Sequence, residues 1–270
     1  MKLLVKILLI MEASGLGDHV MAQPAISTLV QRHEVTVLAR KFYAPLFSNV
    51  RFLQYAQQDA FPTFKARFDK SHWLAQWSVR KTNVNRMDFF AGLIETKMPE
   101  SYSWQLNPKK IEGEPYILFC PNAVEAWRSM PYPSELQAAL SQKMKVVTLP
   151  RVRVYASHHD GGFRALSELI DLVYNARAVV AVDTGPLHLA CAMGIPSIGL
   201  YGLSSPKIHD EYRRYNPGLK HIAIQGEPIA GCTMPCDRMG AFEQCQRRRN
   251  PYCMEHIDSQ KVLGALEELL

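Results

Sequence analysis

Two hydrophobic patterns alternate along the chain. Short, nearly unbroken apolar runs read as strands buried on both faces: Lys6-Ile7-Leu8-Leu9-Ile10, Tyr116-Ile117-Leu118-Phe119-Cys120, Lys145-Val146-Val147-Thr148-Leu149 and Val179-Val180-Ala181-Val182. Between them, apolar residues recur at helical spacing. The pattern predicts strands over 2–11 and 34–39 flanking a helix over roughly 19–32, then a mixed region with helical periodicity around 71–97. After Cys120 it predicts helices over 134–143 and 164–176 and a strand over 145–149. A final strand–helix–strand unit over 179–202 is expected to close the sheet. No internal repeat or low-complexity tract interrupts this order. Strands that alternate with helices favour parallel sheets with helices on both faces.

The polar, Pro- and Gly-punctuated stretch Asn107-Pro108-Lys109-Lys110-Ile111-Glu112-Gly113-Glu114-Pro115 divides the chain. The expectation is a domain over 1–110 and a second over 115–270, each Rossmann-like.

The candidate chemistry gathers where strands end and helices begin. In parallel sheets ligands bind at that junction. Asp183-Thr184-Gly185 follows the apolar run ending at Val182, and His188 lies one turn into the next helix. Helix N–H groups there favour phosphate, while Asp183 and Thr184 can bond to ribose or sugar hydroxyls. The bland alternative is an ordinary strand–helix turn with an Asp/Thr cap. Near the N-terminus, Gly15-Leu16-Gly17-Asp18 follows the first strand, its small residues suiting a tight turn. It lacks the third glycine and the later acidic residue of a dinucleotide fingerprint, so an NAD site is rejected. Asp18 is either a cap for a helix starting at His19 or an acid/base group facing a cleft.

Asp183-Thr184-Gly185…His188-Leu189-Ala190…Gly194-Ile195-Pro196…Leu200-Tyr201-Gly202…Ser205-Pro206 resembles the C-terminal signature of glycosyltransferase family 9, the heptosyltransferases of lipopolysaccharide synthesis. Gly15-Leu16-Gly17-Asp18 with Pro24-Ala25-Ile26 is similar to that family's opening. The resemblance implies a GT-B architecture: two Rossmann-like domains facing across a cleft, the first on the acceptor side, the second binding the nucleotide sugar. It implies inverting transfer from a nucleotide-diphosphate sugar to an acceptor hydroxyl, with no catalytic divalent cation. Asp18 is the implied base, and Gly15, Gly17, Asp183, Thr184, Gly185 and His188 belong to the substrate-binding turns. The family carries a basic residue, usually Lys, in the loop after the first strand of its second domain, ahead of a Trp-Pro. Here Arg128 stands at that position and Met130 replaces the Trp; an Arg fork can still hold a diphosphate. The short N-terminal half leaves the acceptor open, so transfer to a DNA base or protein side chain stands beside transfer to a glycolipid. A non-catalytic nucleotide-sugar-binding module is the reading from a different class.

Composition narrows the partners. With 47% hydrophobic and 21% charged residues the chain reads as a folded globular protein. Its net charge of +6 suits an anionic acceptor: glycolipid at a membrane surface, nucleic acid or protein. No apolar run reaches membrane-spanning length. The opening Met1–Ile10 lacks the cleavage site of a signal peptide, so the expected location is cytoplasmic, with peripheral contact to the inner membrane as an option.

Of the 6 cysteines, Cys120 and Cys191 lie in predicted elements and read as buried. The other four, Cys232, Cys236, Cys245 and Cys253, cluster within 231–254 among Gly and Pro. Four thiols can close a tetrahedral structural zinc site, giving a C-terminal cysteine-rich knuckle. A subgroup of the resembling family binds iron at a similar ending, so zinc or iron is expected. Disulfides or uncoordinated thiols are the alternatives.

Overall fold

In a computed structural model the chain forms two compact units, Met1–Leu106 and Asn107–Leu270. The structure describes residues 4–11, 15–54, 65, 67–74, 85–123, 128–149, 165–202, 204–227 and 252–270.

The first unit runs β1 (Lys6–Ile10), α1 (Leu16–Val30), β2 (Glu34–Ala39), a 3-10 segment (Lys41–Leu46), β3 (Arg51–Gln54), β4 (Lys70–Trp73) and α2 (Arg86–Leu93). Its strands are parallel in the order β3-β2-β1-β4. The chain moves outward from β1 on one side and then returns to pair β4 on the other. The gap beyond the carboxyl ends of β1 and β4 is therefore the topological switch point, where such sheets bind ligands. Leu8 and Ile10 alternate with Ile7 and Leu9, and all four are buried, as expected of a central strand covered on both faces.

Helix α1 carries a proline in its interior, Pro24, whose missing N–H leaves the Val20 carbonyl without its helical donor. The Trp104 indole fills that vacancy, donating from Nε1 to Val20 O at 2.9 Å. One turn on, the Tyr102 hydroxyl lies 3.3 Å from Gln23 Oε1. Residues 102–104 thus brace the proline-weakened turn.

The second unit runs β5 (Tyr116–Cys120), α3 (Pro133–Ser141), β6 (Lys145–Thr148), α4 (Leu166–Tyr174), β7 (Ala178–Val182), α5 (Gly185–Met193), β8 (Ser197–Tyr201) and α6 (Lys207–Asp210). A 3-10 turn (Glu211–Arg214), β9 (His221–Gln225), α7 (Tyr252–Glu255) and α8 (Ser259–Leu269) follow. All five strands are parallel, in the order β6-β5-β7-β8-β9. Here the switch point falls between β5 and β7. Alternate residues of the central strands (Ile117, Phe119, Val180, Val182, Ile198 and Leu200) join Leu136, Leu140, Val262 and Leu266 in one core. Helix α5 ends at Gly194, whose φ of +72° is the left-handed C-cap favoured by glycine. A Cβ there would also lie 2.7 Å from Asn216 Nδ2.

The α/β class with parallel sheets is borne out, with three local corrections. Residues 70–73, at the start of the stretch expected to be helical around 71–97, form β4, because pairing with β1 along 7–10 outweighs local periodicity. The helix in that region begins at Arg86, where the Asn85 side chain accepts the Asp88 N–H at 3.0 Å. Helix α1 starts at Leu16, not His19, which places Asp18 inside its first turn. Finally, the 179–202 unit does not close the sheet. β9 adds beyond β8, leaving β7 and β8 internal.

The cysteine cluster falls largely outside the described residues: Cys232, Cys236 and Cys245 are not among them. Cys253 is buried on α7, packed close to Gly202 and Gly226 at the ends of β8 and β9. A Cβ at Gly226 would collide with the Cys253 carbonyl, and one at Gly202 would come within 3.0 Å of its sulfur. Among the described residues, no group of three or more His, Cys, Asp or Glu is arranged to hold a metal.

Candidate functional site

Each unit places one carboxylate at its switch point, beside an arginine from the neighbouring connection. In the first unit, Asp18 is 2% exposed and its Oδ2 accepts the Gly15 N–H at 3.1 Å, across the first turn of α1. Its Oδ1 lies 3.8 Å from Arg86 Nη1, at the start of α2. Gly15 is the N-cap with φ −78° and ψ 170°, so ordinary extended backbone makes this turn, without the left-handed conformation that would require glycine. Gly17 is buried within the same helical turn. His19 locks the turn from behind, its Nδ1–H donating to Gly15 O at 2.8 Å while its ring stacks on Tyr43 at 3.8 Å. Complete burial lowers the His19 pKa to about 4, keeping the imidazole neutral and its Nδ1 contact to the carbonyl intact.

In the second unit the loop after β5 and the turn after β7 meet. The loop is folded on itself: Ser129 Oγ accepts the Ala123 N–H at 2.9 Å, Met130 N–H donates to Pro121 O at 2.8 Å, and the Met130 side chain is buried. That fold aims Arg128 at the β7 turn, where its Nη1 donates to Asp183 O at 3.1 Å and lies 3.6 Å from Asp183 Oδ2. On the other side of the same carboxylate, His188 Nε2 is 3.6 Å from Asp183 Oδ1. Asp183 and His188 are each 3% exposed. Thr184 is the N-cap of α5 and Gly185 its first residue, with Pro186 in the opening turn, where a missing N–H costs nothing. Arg128, Asp183, Thr184, Gly185 and His188 therefore form one cluster around a helix N-terminus, while Gly15, Gly17 and Asp18 form another within the first unit.

Most of a polar layer beneath α5 escaped the sequence reading, which singles out His188 alone for its chemistry. The Tyr212 hydroxyl lies 3.0 Å from His188 Nδ1. Ser197 Oγ is 2.9 Å from His221 Nδ1, and Tyr201 OH is 3.4 Å from its Nε2. Gly199 makes this geometry available, because the Tyr201 ring lies over it and a Cβ would come within 2.8 Å of the ring. Burial drives the His221 pKa down to about 4 and the Cys191 thiol up to about 12. Ser197, Tyr212 and His221 offered no spacing signal. Only the hydrophilic character of Ser197 and His221 in otherwise apolar runs could have marked any of them.

Fold and clusters define an α/β chain of two parallel-sheet units, the second with Arg128, Asp183 and His188 gathered at a helix N-terminus. Residues 162–233 match the family model described as "Glycosyltransferase family 9 (heptosyltransferase)", so over that segment the chain is similar to family 9. It is 24% identical over 230 residues to the lipopolysaccharide heptosyltransferase 1 of Pseudomonas aeruginosa, a match covering 76% of this chain and 63% of that protein. It is 37% identical over 110 residues to the lipooligosaccharide heptosyltransferase 2 of Haemophilus influenzae, covering 39% of this chain and 27% of the relative. The chain thus matches less than two thirds of these relatives' length. Among solved structures, the iron-containing dodecameric glycosyltransferase TibC of enterotoxigenic E. coli aligns with a TM-score of 0.73 at 16% identity, over 100% of this chain and 80% of TibC. The E. coli ADP-heptose heptosyltransferase II aligns at 0.65 and 18% identity, over 98% of both chains. These two likenesses are likenesses of fold. No helix among the described residues is long and apolar enough to cross a membrane.

Proposed function

We propose that the chain transfers a glycosyl group from a nucleoside-diphosphate sugar to an acceptor hydroxyl, with inversion at the anomeric carbon. The carrying observation is the second-unit cluster: an arginine fork, a buried carboxylate and a buried imidazole around the N-terminus of α5. That set matches the chemistry of the donor. Arg128 and the α5 N–H groups suit the diphosphate, which gains negative charge as it leaves. Asp183 and Thr184 can accept from or donate to sugar hydroxyls. Asp18 is the base that takes the acceptor proton as its oxygen attacks the anomeric carbon, and the electron pair of the breaking glycosidic bond goes to the diphosphate. TibC has been solved in complex with ADP-D-β-D-heptose, which makes ADP-heptose the first donor to test.

The four-cysteine segment adds a structural metal to this reading. Cys232, Cys236, Cys245 and Cys253 would supply the thiolates, with zinc or iron as the ion. Cys253 is buried against the ends of β8 and β9, so a closed site there would tie the segment to the donor-binding sheet. Elemental analysis of purified protein should find about one ion per chain; protein without metal would remove this part of the proposal.

The main test is a panel of nucleotide sugars, ADP-heptose among them. Donor binding is read by thermal shift, and nucleoside diphosphate release is read with and without glycolipid, peptide and DNA acceptors. Acceptor-dependent release supports the transferase. Binding with no release in any combination would support the non-catalytic module instead.

A further inference from the structure

We infer that Tyr212 is a positioning residue for the donor site, holding the His188 ring in the Nε2-protonated tautomer that the Asp183 carboxylate selects. The inference rests on the reading of the 183–188 turn as the donor site. His188 is 3% exposed, with one ring nitrogen near a carboxylate and the other near a phenol: Nε2 lies 3.6 Å from Asp183 Oδ1 and Nδ1 3.0 Å from Tyr212 OH. A neutral imidazole carries its proton on one nitrogen only. An ionised carboxylate can only accept, so the stable arrangement puts the proton on Nε2, facing Asp183. Nδ1 is then a bare acceptor, and the Tyr212 O–H donates to it. In the opposite tautomer a lone pair would face both the carboxylate and any phosphate arriving at α5. Asp183 thus selects the tautomer, and the phenol, which can donate or accept, holds it by donating to Nδ1. This is the logic by which a partner on the far ring nitrogen fixes the near one in metal sites.

The phenol is itself held in place. Tyr212 is fully buried on the 3-10 turn Glu211–Arg214. Its neighbour Arg213 pairs with Asp210 and donates from Nη2 to His221 O at 2.7 Å. The Tyr212 carbonyl accepts from Tyr215 N–H at 3.1 Å and Asn216 N–H at 2.9 Å. The donor site thus depends on a segment 24 residues beyond His188, outside the 183–202 stretch whose residues suggest the chemistry.

The test uses the whole chain and ADP as probe, by isothermal titration calorimetry. Tyr212→Phe should weaken ADP binding about 5- to 30-fold, and His188→Ala at least as much. Tyr212→Phe combined with His188→Ala should bind like His188→Ala alone, since the phenol reaches the donor turn through the imidazole. Full-strength binding by Tyr212→Phe beside a weakened His188→Ala would overturn the inference, as would losses that multiply in the double variant. Unchanged binding by His188→Ala would instead overturn the donor-site reading, and the inference with it. A second measurement needs neither a variant nor a ligand. The 15N shifts of the His188 ring in the wild-type protein should report an unprotonated Nδ1 that accepts a hydrogen bond, and a protonated Nδ1 in the neutral ring would overturn the inference.

Discussion

A carboxylate serves as a base when it is ionised and held in one orientation, and the two buried acids among the described residues are held by similar means. Asp18 accepts a backbone N–H across its own helical turn and faces Arg86, while Asp183 lies between Arg128 and His188. Capping is thus compatible with the proposed base role of Asp18: one oxygen closes the turn and the other is directed elsewhere. Asp18→Asn separates the two roles. The amide oxygen can still accept the Gly15 N–H, so α1 should keep its start, but the proton acceptor is gone. Turnover in a donor-consumption assay should fall on the order of 10²–10⁴, with ADP affinity little changed. Near-normal turnover would remove Asp18 from the mechanism. Residues of this kind were legible because acids and small residues after an apolar run are unusual. Arg86 was not, since its partner is 68 positions away in sequence and nothing local marks it.

At the scale of elements, the long, strongly apolar strands and the helix between β7 and β8 were legible, because strands covered on both faces need unbroken apolar runs. Of the four edge strands, β6 was expected over 145–149, and β3, β4 and β9 were not. β3, β4 and β9 carry residues such as Arg51, Lys70 and Ala223 and exist through pairing with a stronger neighbour. The brace on α1 belongs to the same class of long-range effects. Trp104 supplies Val20 O with the donor that Pro24 cannot. Trp104→Phe should therefore destabilise the first unit by about 1–3 kcal/mol, by leaving a buried carbonyl unsatisfied. Pro24→Ala returns an N–H to that carbonyl, so adding it to Trp104→Phe should recover much of the loss. Denaturant midpoints of wild type, the two single variants and the double variant decide the matter. An equal loss from Trp104→Phe in the Pro24→Ala background would assign the effect to lost ring packing alone.

Across the whole molecule, each unit is built around a buried, neutral histidine next to its own site. His19 locks the Asp18 turn, and His221 joins β8 to β9 beneath the cluster of Arg128, Asp183 and His188. Burial lowers both from 6.5 to about 4, so between these values the unfolded chain takes up protons that the folded chain refuses. Stability from these groups is complete above pH 6.5, is lost progressively as pH falls, and changes no further through them below pH 4. Each shift corresponds to on the order of 3 kcal/mol. Because one histidine lies in each unit, acidification should weaken both, without a protected half to refold upon. Urea unfolding at pH 7, 6, 5 and 4.5 should show stability falling with a slope approaching two protons for the molecule. His19→Asn, whose amide can replace the Nδ1–H donor to Gly15, should remove about one of them. His221→Asn should remove about the other. A slope unchanged in both variants would mean that carboxylates, not these imidazoles, govern the acid limit of the fold.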